Sequence, residues 1–119
     1  MRDDYLLTTA TARRLYQAVA PLPVTDWHNH LSIEDLRTDR HYSTLTDLWI
    51  TPDPYKHRAM RICGVPERLI TGDADDYAKF LAWSATLAQL TGNPLQPWSA
   101  MELARVFGIT RELTPDTAA

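Results

Sequence analysis

The chain has 119 residues, 45% of them hydrophobic, and a formal net charge of -3, which suits one globular domain with a core. No basic block stands out, which argues against nucleic acid or an anionic membrane surface as a partner, and the apolar runs are too short to span a bilayer. The N-terminus lacks the apolar stretch of a secretory signal, and the single Cys63 forms no internal disulfide, in keeping with a reducing cytoplasm.

Thr8 to Ala20 reads as a helix, capped by Thr8 or Thr9, with Ala12, Leu15, Tyr16 and Val19 as its apolar stripe. Pro21 and Pro23 end it and bias the following residues towards extended geometry. The spacing then predicts one short strand over about 23–27, centred on Val24-Thr25-Asp26, and mostly helix over about 33–110. Ser32 caps a turn of helix to Leu36. Thr44 and Asp47 have capping-box spacing at the head of a piece that runs to Ile50. Asp53 followed by Pro54 is a strong helix start, and Gly64 is the matching stop. Val65 to Ile70 forms a further short turn of helix, closed by Gly72. Asp73 or Asp75 opens what reads as the longest helix, to about Leu90, with Tyr77, Phe80, Leu81, Ser84, Leu87 and Ala88 as its buried face. Ser99 and Glu102 form a capping box for the last helix, which Gly108 stops, and the tail from Thr114 reads as frayed. One strand alone leaves its hydrogen-bonding edges without neighbours, so the chain reads as a piece of a larger fold.

Asp26-Trp27-His28-Asn29-His30 carries the most chemistry. On an extended backbone, residues two apart point to the same side, so His28 and His30 aim at one spot and Trp27 packs behind them. Imidazole is the commonest metal ligand, and two of them at a strand's end make half of a catalytic zinc-type site. A His-x-His triplet by itself is also common among surface and capping residues. Tyr55 to Arg61 sets a phenol, an imidazole and three permanent cations on two helical turns, near a positive helix N-terminus that favours a carboxylate guest. By composition alone, the better reading is Lys56, His57 and Arg61 on a solvated face with Tyr55 in the core. Of the four tryptophans, Trp49 and Trp83 fall at apolar helical positions and read as core. His41 reads as exposed, and Cys63 as a small core residue, not a nucleophile.

In order and spacing, these segments resemble the N-terminal part of the uronate (glucuronate) isomerases of the amidohydrolase superfamily. The resemblance runs through Asp4-Tyr5-Leu6-Leu7, Val24-Thr25-Asp26-Trp27-His28-Asn29-His30-Leu31 and Leu45-Thr46-Asp47-Leu48-Trp49. It continues through Tyr55-Lys56, Arg58-Ala59-Met60-Arg61, Gly92-Asn93-Pro94-Leu95 and Phe107-Gly108-Ile109. It implies a metal-dependent (β/α)8 barrel with extra helices that interconverts D-glucuronate with D-fructuronate and D-galacturonate with D-tagaturonate. It also implies a divalent metal, typically zinc, on His28 and His30, and Tyr55 as a group that moves a proton between C2 and C1. Arg58 is a further candidate for holding the sugar acid. A cytoplasmic setting is expected from the lone cysteine and the absent signal, and a homo-oligomer is one option for the full-length enzyme, its oligomeric state being open at the level of sequence.

Pro54 stands where the family commonly has a substrate-binding His, His57 where it has Trp, and Asn29 where it often has Cys. These changes spare the metal pair and the tyrosine and bear on substrate preference. A complete barrel needs ~250 residues, so residues 1–119 are expected to be a single N-terminal segment, inactive in isolation. Two other readings compete: a metal-dependent hydrolase of the same superfamily, and a helical interaction module without catalysis.

Overall fold

The computed structural model describes residues 4–28 and 30–118. Asn29, expected to replace the family's frequent Cys, lies outside them.

Helix α1 spans Ala10–Val19, and Thr9 Oγ1 caps it by accepting the amide of Ala12. Helix α2, Ile33–Arg37, starts at Ser32, whose hydroxyl accepts the Asp35 amide. Thr46–Ile50 is a π-helical turn, closed by the Thr51 amide donating to the Thr46 carbonyl at 2.8 Å. Helix α3 is Pro54–Ile62, and a 3-10 turn covers Glu67–Leu69. Helix α4 spans Asp76–Leu87 from an Asp75 cap, and α5 spans Leu95–Phe107.

The core is built from residues after Leu45. Ile50, Ala59, Met60, Ile70, Trp83, Leu87 and Leu90 form one buried cluster, with Trp49, Cys63 and Phe80 packed on it. Helix α4 is its centre, resting on the π-helical turn and on α3. Thr46, itself buried, donates its hydroxyl to the Asp76 carbonyl at 2.7 Å, which locks the π-helical turn to the first turn of α4. No described residue before Thr46 is buried. The apolar stripe of α1 is left uncovered, with Leu15 at 60% and Val19 at 56% exposure. The radius of gyration is accordingly 16.3 Å, against about 13.5 Å for a compact domain of this length.

Several expectations are corrected. Among the described residues there is no strand: 23–27 carries no sheet pairing, and Val24 is 89% exposed. The sequence pattern is strand-like, but no neighbouring edge exists to receive its backbone groups. Trp27 does not pack behind the histidines; it is exposed, with its ring edge-on to His28.

Ser99 does not cap the last helix. Asn93 Oδ1 takes the Leu95 amide at 2.9 Å and starts α5 earlier, leaving Pro97 in the first turn, where an amide is dispensable. Ser99 is therefore interior and buried. This makes α5, with 13 residues, longer than α4, with 12. Trp83, Ser84, Thr86 and Leu87 are the buried residues of α4, whereas Tyr77 and Ala88 are exposed. The tail is not frayed at Thr114: Thr117 Oγ1 accepts its amide at 2.8 Å and donates to the Glu112 carbonyl.

Candidate functional site

A cleft of about 750 Å³ opens between the His28–His30 segment, the first turns of α3, and the start of α5. Each element is placed by local chemistry. Asp26 Oδ1 accepts the His28 amide at 3.0 Å, a local side-chain-to-backbone bond just before the histidines. The two imidazoles lie with centroids 5.2 Å apart and planes at 71°. The two rings are thus close together without sheet pairing.

At the first turn of α3, Asp53 organises three groups. Its Oδ1 accepts the amides of Tyr55 at 2.9 Å and Lys56 at 3.3 Å, and its Oδ2 accepts Lys56 Nζ at 2.6 Å. Partial burial pulls the Asp53 carboxyl up, but the Lys56 ammonium and the two amides outweigh it and hold the group below its usual range. The Tyr55 ring stacks on His30, with centroids 5.5 Å apart and planes at 17°. The Arg58 guanidinium lies 5.7 Å from the Tyr55 ring centroid.

The cleft therefore gathers His28, His30, Tyr55 and Arg58, the residues singled out from sequence, although 25 residues separate His30 from Tyr55. The solvated-face reading of α3 holds for Arg61, which is exposed, and fails for Lys56 and Tyr55. Lys56 is buried, at 4% exposure, with its ammonium over the rings of Trp49 at 4.6 Å and Trp83 at 5.9 Å. Tyr55 is half-exposed in the cleft.

His57 is half-buried with Nε2 enclosed and without a hydrogen-bond partner. Burial pushes its pKa below the ordinary value, against a hydrogen bond to the Ile50 backbone. Sequence reasoning did not place Asn93, Trp98 or Glu102 at the site; they line it from the turn before α5 to the middle of that helix. The signal for Asn93 was its place before Pro94, where an Asx side chain starts a helix.

A divalent ion fits this donor set in part. His28 and His30 set two imidazoles side by side, but among the described residues no group of three or more His, Cys, Asp and Glu could hold a metal. Among the described residues, these two would supply two of the three or four ligands such an ion takes.

Helices that bury one face around Trp83, and a cleft that gathers two imidazoles, a phenol and a guanidinium, define a helical segment with one candidate site. A family model described as glucuronate isomerase matches residues 1–119, and the chain belongs to that family. The uronate isomerase of Vibrio vulnificus is 48% identical over 118 residues, which are 98% of this chain and 25% of that protein. That of Oceanobacillus iheyensis is 45% identical with the same coverage. The crystal structure of uronate isomerase from Thermotoga maritima matches 99% of this chain and 26% of its own, with a TM-score of 0.91 at 35% identity. The chain thus spans about a quarter of the length of the relatives it matches. Among the described residues, no helix is long and apolar enough to cross a membrane.

Proposed function

We propose that this chain supplies one wall of a hexuronate isomerase active site, interconverting D-glucuronate with D-fructuronate and D-galacturonate with D-tagaturonate. The observation that carries the reading is the stack of Tyr55 on His30, which unites the two sequence motifs in one cleft. Family membership and the 48% identity to a uronate isomerase support it.

The reaction moves a proton from C2 to C1 through an enediol, while the hydroxyl proton of O2 passes to O1. An acid and a base must therefore serve adjacent carbons. Tyr55 acts as one of them; its phenol lies at the cleft surface, where its hydroxyl can hydrogen-bond the sugar as donor or acceptor. The second group comes from outside this chain, as do the remaining walls of the barrel. Arg58 holds the uronate carboxylate as a charge-assisted donor. His28 and His30 would supply two ligands to a divalent ion, zinc by donor type, the rest coming from outside the described residues, and such an ion would supply Lewis-acid chemistry. The half-buried lone Cys63 suits a reducing, cytoplasmic setting.

The test is aldose–ketose interconversion of D-glucuronate by the complete polypeptide that contains residues 1–119. Tyr55→Phe should lower kcat by about 100-fold, with the thermal midpoint unchanged because Tyr55 is half-exposed. Residues 1–119 alone should show no turnover. Full activity of Tyr55→Phe, or hydrolase activity without isomerisation, would overturn the reading.

A further inference from the structure

We propose that Asp53 and Lys56 form a positioning pair that holds Tyr55 against His30. The proposal rests on the reading of Tyr55 as a proton-moving group.

Lys56 occupies the third position of α3, at the positive end of the helix, where a cation is disfavoured. It is also 4% exposed, and burying an ammonium is costly without a partner. Two features offset both penalties. Asp53 Oδ2 accepts from Nζ at 2.6 Å, and the faces of Trp49 and Trp83 lie 4.6 and 5.9 Å from it, within cation–π range. Trp83 is fully buried at the core's centre. Lys56 is thereby anchored to the most rigid part of the molecule.

The other oxygen of the same carboxylate takes the Tyr55 amide at 2.9 Å. Capping needs only one acceptor, which Asn or Ser supplies as well as Asp. The second oxygen, pinned by Lys56, is what fixes the carboxylate's rotation and so the backbone that carries Tyr55. Tyr55 needs such a device because it is half-exposed, so core packing does not set its rotamer. Neither Asp53 nor Lys56 has to touch the sugar for this role.

The experiment compares Asp53→Asn, Lys56→Met and the double variant in the complete polypeptide that contains this segment. Each single variant leaves one charge without its partner and should lower the thermal midpoint. The double variant removes both charges and keeps an N-cap, so its midpoint should return towards the parent's. Its kcat should nonetheless stay down by about 100-fold, as for a misplaced reacting group, with KM changed by less than about threefold. The nuclear Overhauser contact between the Tyr55 and His30 rings should weaken in step.

Recovery of kcat together with the midpoint, or an unchanged ring contact in the double variant, overturns the proposal. Should the double variant fail to fold, Lys56→Arg decides, because it keeps the charge: a retained ring contact and kcat support the proposal, and their loss overturns it. A parent without isomerase activity would instead sink the proposed function, and the ring contact, read on the same protein, would still test the pair.

Discussion

Trp49 donates its indole N–H to a Glu102 carboxylate oxygen at 2.6 Å, joining residues 53 apart in sequence. The bond ties the π-helical turn to the middle of α5. Glu102→Gln keeps an acceptor and should be close to neutral. Glu102→Leu removes it and should cost about 1 kcal/mol, because the exposed site lets water replace the carboxylate. Urea denaturation reads the difference, and a loss above about 3 kcal/mol would mean that α5 depends on this bond for its docking.

Trp83 is fully buried between α3 and the π-helical turn. Trp83→Ala should cost about 3–5 kcal/mol through lost contact and a residual cavity. Trp98, 56% exposed at the cleft, should tolerate Ala within about 0.5 kcal/mol. Equal costs would place the core elsewhere.

Gly72 and Gly108 are needed for different reasons. A Cβ at Gly72 would stand 2.6 Å from the Arg68 Cα, and backbone cannot step aside cheaply, so Gly72→Ala should cost about 1–3 kcal/mol. Gly108 has open space but φ of 68°. It ends α5 with the Ile109 amide reaching back to the Leu103 carbonyl at 3.0 Å. Gly108→Ala should cost about 1–2 kcal/mol from left-handed backbone strain alone. Thermal melts of the two variants separate contact from conformation, since only the Gly72 defect should be relieved by movement of the 3-10 turn.

Stability should depend on pH in two separate windows. The fold favours neutral His57 by burying it, so its pKa is lowered. The contribution is full above the unfolded value of about 6.5 and is lost as pH falls through the lower folded value, because the unfolded chain then binds the extra proton. Glu67, hydrogen-bonded by Arg61 and Thr71, is held down from 4.5 to about 2, so its contribution is present above 4.5 and lost as pH falls towards 2. In a series of denaturation midpoints, His57→Gln should flatten the first window and leave the second. A first window that survives the substitution would assign it to another group.

The uncovered stripe of α1 should bind a hydrophobic dye. Leu15 and Val19 are both more than half exposed, on a helix with no buried residue, and apolar patches of this kind mark contact surfaces. Leu15→Gln with Val19→Gln should lower dye fluorescence and self-association, read by light scattering, while leaving the Trp83 core intact. Unchanged binding would shift the source to another exposed apolar group.

Much of this molecule was legible from single residues and their immediate neighbours. The caps at Thr9, Ser32, Asp53 and Asp75, and the stop at Gly108, are local hydrogen bonds or backbone preferences, so each can be read within a few positions. The likeness to uronate isomerases was carried by short segments in order, and it led to His28, His30 and Tyr55. The mistakes fell where the outcome depended on distant partners. The stretch over 23–27 has a strand's sequence, yet a strand exists only when another edge receives its hydrogen bonds. Tyr55 and Lys56 exchanged their expected places, since composition places a lysine in water and cannot foresee two indoles and a carboxylate waiting for it.

The amino-acid order by itself determined most of the helix starts, the stop at Gly108, the family, and which side chains can do chemistry, because propensity, capping and residue type act locally. Only the tertiary structure decided that His30 stacks on Tyr55, that Lys56 is buried against Trp49 and Trp83, and that α1 and the histidine segment stay outside the core. Those are matters of which surfaces meet across tens of residues, and burial and ring stacking are energies of the meeting rather than of either partner alone.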